Sequence, residues 1–162
     1  MAIVHIVQIV QLRYDGGVEG MLMLQLAEKA SDVRQHFSEF VDTVVRDRPG
    51  FVTRNRDILA ALNLEHLAVL VEPLVFHAKL ELDENQEYVG TVDEIEDIVV
   101  SGVTKEEVLT SIAQMLLEYA EDYLTDSFRL YFNSPNRRKH FPYVLKVAMQ
   151  DTIDDVKCLI HA

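Results

Sequence analysis

Ser31-Asp32-Val33-Arg34-Gln35-His36-Phe37-Ser38-Glu39-Phe40, then Arg48-Pro49-Gly50-Phe51-Val52-Thr53-Arg54-Asn55-Arg56, then Asn63-Leu64-Glu65-His66-Leu67, are the three runs that decide the reading of this chain. Their spacing predicts an amphipathic helix, a tight turn, a strand pair with a basic tip and a second helix. Val33, Phe37, Phe40, Val41 and Val44 recur at helical spacing and form one apolar stripe. Ser31 is placed to cap this helix, with Asp32 just inside it, where an anion is favoured. The helix is expected to reach about Asp47, where Pro49-Gly50 stops it and turns the chain. Phe51 to Asn55 and Ile58 to Leu62 read as strands joined around Arg56-Asp57. Asn63 can cap the next helix, whose apolar positions are Leu64, Leu67, Ala68, Val71 and Leu74, and Pro73 terminates it.

Upstream, Met23 to Ala27 reads as a short strand. Residues 1–14, rich in Val and Ile, suggest another strand, and Asp15-Gly16-Gly17 a turn. Residues 1–20 are either such a strand extension or a non-native start, with translation beginning at Met21 or Met23. Downstream, Val75 to Leu82, Glu87 to Val92 and Ile98 to Val100 read as strands, with a polar turn at Asp83-Glu84-Asn85-Gln86. Thr104-Lys105-Glu106-Glu107 is a capping box. The helix behind it carries Val108, Ile112, Met115, Leu116, Tyr119, Ala120 and Tyr123 on one side and ends near Thr125. Asn133 to Asn136 signals a loop, and Pro142 to Ala148 reads as a strand. Asp151 or Thr152 caps a final short helix holding Ile153, Val156, Leu159 and Ile160. The boundaries that follow are 21–74, 75–125 and a strand-and-helix extension over 126–162.

Hydrophobic residues make up 49% of the 162 and charged residues 26%, which excludes wholesale disorder. One cysteine, Cys158, cannot build a disulfide framework or a thiolate metal cage, so a reducing cytoplasmic setting is expected. The longest apolar run, Met1 to Val10, is too short to span a membrane, and His5 and Gln8 interrupt it. It also lacks the basic start and cleavage site of a signal peptide. The net charge of -12 is uneven. Residues 75–128 hold 14 acidic side chains against 2 basic ones, whereas 129–162 hold 6 basic against 3 acidic. The middle of the chain therefore suits a basic partner, and the ends can still carry basic patches.

Val33-Arg34-Gln35-His36-Phe37-Ser38-Glu39, Phe51-Val52-Thr53-Arg54-Asn55 and Asn63-Leu64-Glu65-His66-Leu67 together resemble the signature runs of the Phd/YefM antitoxins over about residues 23–72. His36 departs from the family's Asn, and Arg56-Asp57 stands where a Gly-Lys turn is usual. The resemblance implies a homodimer that binds a palindromic operator, represses its own operon and neutralises a cognate toxin through its C-terminal half. It implies Arg34 and His36 at the DNA, with Ser31 and Arg54 as neighbours. A second resemblance, to the partial RNase H-like domain of HicB-type antitoxins, covers about residues 75–124. It rests on Lys79 to Leu82, Tyr88 to Val92, Ser101 to Val108 and Glu118-Tyr119. That family's Pro-x-Leu-Pro-Gly-Cys centre is absent, replaced by Asp93-Glu94-Ile95-Glu96-Asp97, so the choice of toxin does not carry over.

Each candidate residue has a plainer reading. Arg34 can reach a guanine's two acceptors in the major groove, or simply pair with Asp32 or Glu39. Arg54, Asn55 and Arg56, with Arg46 and Arg48 near in sequence, suit phosphate contacts or a solvated hairpin tip. One monomer supplies few charges, and a two-fold dimer doubles them. Asp93, Glu94, Glu96 and Asp97 could ligate a hard cation or serve acid–base chemistry, but lack the spacing of a known loop. A solvated acidic face is the plain reading, and contact with a basic toxin the functional one. No catalytic carboxylate set can be placed, so nuclease activity is not expected. The six histidines form no metal-spaced pair, and no phosphate loop or nucleophile elbow occurs. Arg137-Arg138-Lys139-His140 reads as a solvated loop, a nucleic-acid contact or a partner for the acidic middle. The expectation is an α+β antitoxin. A Phd/YefM-like dimerisation and DNA-binding module precedes a small antiparallel sheet plus helix of HicB-like, partial RNase H-like type. No cofactor and no catalysis are expected. The alternative is a dimeric adaptor that binds a protein partner and no DNA.

Overall fold

The computed structural model describes residues 10–13 and 21–162. The chain forms two compact units, Met1–Leu70 and Val71–Ala162. In the first, the elements run β1 (Val10–Arg13), α1 (Met21–Leu26), β2 (Glu28–Lys29), α2 (Ala30–Gln35), α3 (Phe37–Arg46), β3 (Gly50–Arg54), β4 (Asp57–Ala61) and α4 (Leu64–Val71). The sheet order is β1-β4-β3-β2. β3 and β4 form the expected hairpin, paired from Gly50↔Ala61 to Arg54↔Asp57, and β2 lies parallel to β3. β1 falls within the strand expected over residues 1–14. The Asp15-Gly16-Gly17 turn lies outside the described residues, as do residues 1–9.

Two expectations are corrected here. Met23 to Ala27 is not a strand: it lies largely in α1. Met, Leu and Gln are unbranched at Cβ and favour helix, and a short apolar run does not by itself reveal its period. The single helix from Ser31 to Asp47 is two, broken at His36, whose backbone sits at φ -120, ψ 38. Ser31 therefore does not cap it. Lys29 holds the N-cap position without a side-chain bond, and Ser31 donates its hydroxyl to the Asp32 carboxylate at 3.0 Å. The break also ends the single stripe. Val33, Phe40 and Val44 are buried with Val52 and Ala61, but Phe37 is 61% exposed. Gly50 fits beneath the Phe40 ring, where a Cβ would lie 2.6 Å from Cζ.

The second unit comprises β5 (Phe76–Leu82), β6 (Tyr88–Val92), β7 (Val99–Gly102), α5 (Lys105–Leu124), α6 (Phe128–Asn133), a 3₁₀ turn (Arg138–His140), α7 (Phe141–Ala148), α8 (Ile153–Cys158) and β8 (Ile160–His161). The sheet order is β7-β6-β5-β8, antiparallel except for β5 and β8. α5 is fixed by the predicted capping box: Thr104 Oγ1 accepts from the Glu107 N–H at 3.2 Å, and Glu107 accepts in return from the Thr104 N–H. A second box, Thr152 with Asp155, starts α8. Pro142 to Ala148 is not a strand but belongs to α7. Pro142 occupies the first turn, where a missing N–H costs nothing, and Val144 and Val147 face inward three residues apart. Nor is 126–162 an extension. Val144, Val147 and Val156 share one core with Phe76, Ile112, Leu116 and Tyr123.

Candidate functional site

Of the first group of predicted residues, Ser31, Arg54, Asn55 and Arg56 lie at one end of the first unit's sheet, whereas Arg34 lies further along α2 and His36 closes that helix. Lys29 pairs with Thr53 across β2 and β3, and the Thr53 hydroxyl donates to the Glu28 carbonyl at 3.3 Å. One residue further along each strand come Ala30, where α2 begins, and Arg54, where the hairpin turns. Ser31 thus starts beside Arg54, Asn55 and Arg56. The hairpin turn is Asn55-Arg56 rather than Arg56-Asp57, because Asp57 already pairs with Arg54. Asn55 takes φ 58, a left-handed conformation that Asn tolerates better than most side chains.

All six residues, Ser31, Arg34, His36, Arg54, Asn55 and Arg56, are exposed. Among the described residues, Arg34, Arg54 and Arg56 make no ion pair. Arg46, which the sequence also placed nearby, pairs with Asp42 at 3.4 Å on the flank of α3. His36 closes α2 and opens α3: its N–H donates to the Asp32 carbonyl at 3.0 Å, and its own carbonyl accepts from the Phe40 N–H. It re-aims the chain as much as it presents a ring. Sequence reasoning missed Lys29, an exposed cation at the same end. Its signal was β2, hidden because two residues are too few to show a period. At this end Lys29, Arg54 and Arg56 stand with Glu28 and Asp57, and Arg34 shares α2 with Asp32, so the basic side chains are nearly balanced.

Behind Arg34 lies an open apolar groove of about 320 Å³, with Phe37, Phe40, Leu59 and Ala60 among its walls. α1 adds exposed Leu22, Met23, Leu24 and Leu26 to this unit's uncovered apolar surface.

The second group, in the other unit, has internal partners. Asp93 pairs with Lys79 at 2.5 Å, and Glu94 accepts from the His77 N–H at 2.9 Å while touching the ring Nδ1 at 2.6 Å. Glu96 meets Lys139 at 2.8 Å, and Asp97 meets Arg137 at 3.0 Å. Between them Ile95 and Ile98 are buried. This segment is a strap, apolar residues inward and carboxylates clamped to β5 and to the basic run. Of the three readings of Arg137 to His140, the structure shows pairing with the acidic middle. The hydrogen bond from Lys139, reinforced by its charge, holds the Glu96 carboxyl below its usual range, and the bond to Asp93 raises Lys79. Arg137 also stacks on Tyr131, 4.3 Å from the ring centre, and Arg138 on Phe132. His140, counted in the sequence with the basic run, is buried: Tyr119 and its Nδ1 are hydrogen-bonded at 2.8 Å, and its Nε2 has no partner.

Among the described residues there is no cluster of three or more His, Cys, Asp or Glu fit to hold a metal, and no helix long and apolar enough to cross a membrane. A family model for PHD-like antitoxins, described as the antitoxin of a RelE/RelB toxin–antitoxin system, matches residues 23–162. It therefore takes in both units, including the stretch beyond 125, which lies outside both resemblances drawn from the sequence. A 1.80 Å crystal structure of the antitoxin part of a candidate toxin/antitoxin system from Syntrophomonas wolfei subsp. wolfei is 43% identical. The match spans 84% of this chain and 96% of that one, with a TM-score of 0.76. No curated protein matches.

Proposed function

The chain belongs to the PHD-like antitoxin family, and from that premise we propose that it is a dimeric autorepressor that neutralises its toxin by direct binding. The first unit reads its own operator and the second holds the toxin. The observation that carries the DNA reading is the placing of exposed Ser31, Arg54, Asn55 and Arg56 at one end of one sheet, with Lys29 beside them and Arg34 and His36 exposed on the helix that starts there. Three of those residues are arginines without an ion-pair partner among the described residues. The Phd/YefM resemblance over residues 23–72 supports the same end of the molecule, and the HicB-like resemblance supports partner binding by the second unit. Exposed apolar surface on α1 and Phe37 supports a homodimer through the first unit. Dimerisation doubles a patch too small to bind alone and matches a palindromic operator. The protein then acts in the cytoplasm, beside its DNA, without a cofactor.

The test is a mobility shift with the protein's own promoter at low and moderate salt. Arg34→Ala is expected to weaken binding by about 1–3 kcal/mol if it reads a base. Arg56→Ala is expected to weaken binding on all sequences alike and to reduce the salt slope by about 1. A stable dimer that ignores its promoter at every salt concentration refutes the repressor reading. It favours instead an adaptor that binds protein alone, a reading supported by the near balance of charge around Arg34 and the net charge of -12.

A further inference from the structure

The second unit's sheet has two edges of different kinds. β8 contributes only Ile160 and His161, and such a short strand is a common way to blunt an edge. β7 is not blunted. Val99-Val100-Ser101-Gly102 contains no Pro, Lys or other charge, and among the described residues it pairs only with β6. Its side chains alternate outward and inward: Val99 is 58% exposed and Ser101 is exposed, while Val100 and Gly102 are half-buried. Val103, just beyond, is 68% exposed. The strand's end is rigid, because the Glu107 carboxylate accepts from the Val103 and Thr104 N–H groups at 3.0 and 3.2 Å.

Along β7 runs an open groove of about 350 Å³, formed with α5 and lined by Val100, Ser101, Ser111, Gln114, Met115 and Glu118. Met115 was expected on the buried side of α5 but is 36% exposed, and its side chain lies in this groove. Glu118 accepts a hydrogen bond from Gln114 at 3.2 Å and faces no cation among the described residues.

We propose that β7 is a docking edge for an extended, cationic segment of the toxin, which adds to the sheet as a further strand. This rests on the toxin-binding reading above and says where and how that binding occurs. Main-chain hydrogen bonds to an unpaired edge give such a complex its affinity, and pockets for alternate side chains give it specificity. The groove supplies a pocket with an apolar floor at Met115 and a carboxylate at Glu118. Charge decides the occupant. The unit that bears β7, residues 71–162, holds 18 acidic side chains against 8 basic ones, and Glu118 in the groove faces no cation among the described residues, so a second copy would meet its own net charge, whereas a basic segment is attracted.

The test uses the full chain and the purified protein encoded beside it. Backbone amide exchange is followed with and without that protein, for the native chain and for Val99→Lys, Ser101→Lys and Ser101→Val. All three substitutions sit at exposed positions, and unchanged thermal melts verify the fold. Protection of residues 99–102 on binding is expected, with affinity lowered roughly tenfold or more by either lysine and little changed by Ser101→Val. Binding that persists without protection of β7 and ignores both lysines overturns the edge while leaving toxin binding intact. Failure of the native chain to bind at all overturns both. Concentration-dependent protection of β7 in the chain alone assigns the edge to a second copy and overturns the proposal.

Discussion

At the scale of single residues, His140 shows how far position can depart from composition. Within Arg137-Arg138-Lys139-His140 it read as one more surface cation, yet it is 2% exposed. Burial lowers its pKa below the usual histidine value, with the Lys139 charge acting in the same direction. The folded chain therefore holds it neutral at a pH where the unfolded chain would protonate it. The unfolded state binds more protons, so stability is complete above about pH 6.5 and declines as pH falls below it. Thermal melts between pH 8 and pH 5.5 are expected to show this decline, and His140→Phe to flatten it. Glu96 and Asp122 do not blur the window. Their carboxyls, held low by Lys139 and by Ser127 and Tyr131, titrate in the unfolded chain near 4.5 and 3.8. Asn63 was legible only in part. Its Oδ1 accepts from the His66 N–H at 2.8 Å, the cap the sequence announced. Its Nδ2 also donates to the Val45 carbonyl at 3.0 Å, a tie to the end of α3 that no local pattern encodes. Arg34, Arg54 and Arg56 were readable as candidates because exposure at a helix or hairpin is local, whereas the placing of Lys29 beside Arg54 needed the β2–β3 pairing.

Among the elements, those with their own stop and start chemistry were legible and those defined by distant partners were not. α5 was visible in full, because Thr104 and Glu107 satisfy each other's backbone within one turn. Thr104→Ala is expected to cost about 1 kcal/mol, read as a lower midpoint in denaturant titration with an unchanged slope. The β3–β4 hairpin was legible to within a residue for the same local reason. α7 was misread, since Phe141-Pro142-Tyr143-Val144 offers strand-forming side chains and only its packing on α5 selects helix. The division into α2 and α3 was missed because the apolar spacing continues through His36 although the backbone does not. The strap over 93–97 was read by charge alone. Buried Ile95 and, just beyond, Ile98 form its inner face, and its carboxylates are clamps before they are a surface.

For the whole molecule, the two cores differ in size. Among the described residues, the first unit's core gathers Val33, Phe40, Val44, Val52 and Ala61, while the second unit's holds thirteen buried residues. A small core is marginal by itself, and an apolar surface left open beside it is material for association. The second unit's core, with the partly buried residues packed on it, draws on every strand and α-helix from β5 to β8. Residues 71–162 are therefore expected to unfold cooperatively on their own. Residues 71–125, which lack α6, α7, α8 and β8, are not; circular dichroism melts of the two fragments distinguish them. Those closing residues also bear on how the protein is made. Phe76 donates its N–H to the Leu159 carbonyl, and Phe76 and His77 pair with Ile160 and His161, so the first strand of this unit waits for its last. Translation at roughly 5–20 residues per second separates their emergence by on the order of ten seconds. Until β8 emerges, the edge of β5 that pairs with it lacks that partner. A chain cut short before Ile160 leaves that edge of β5 open.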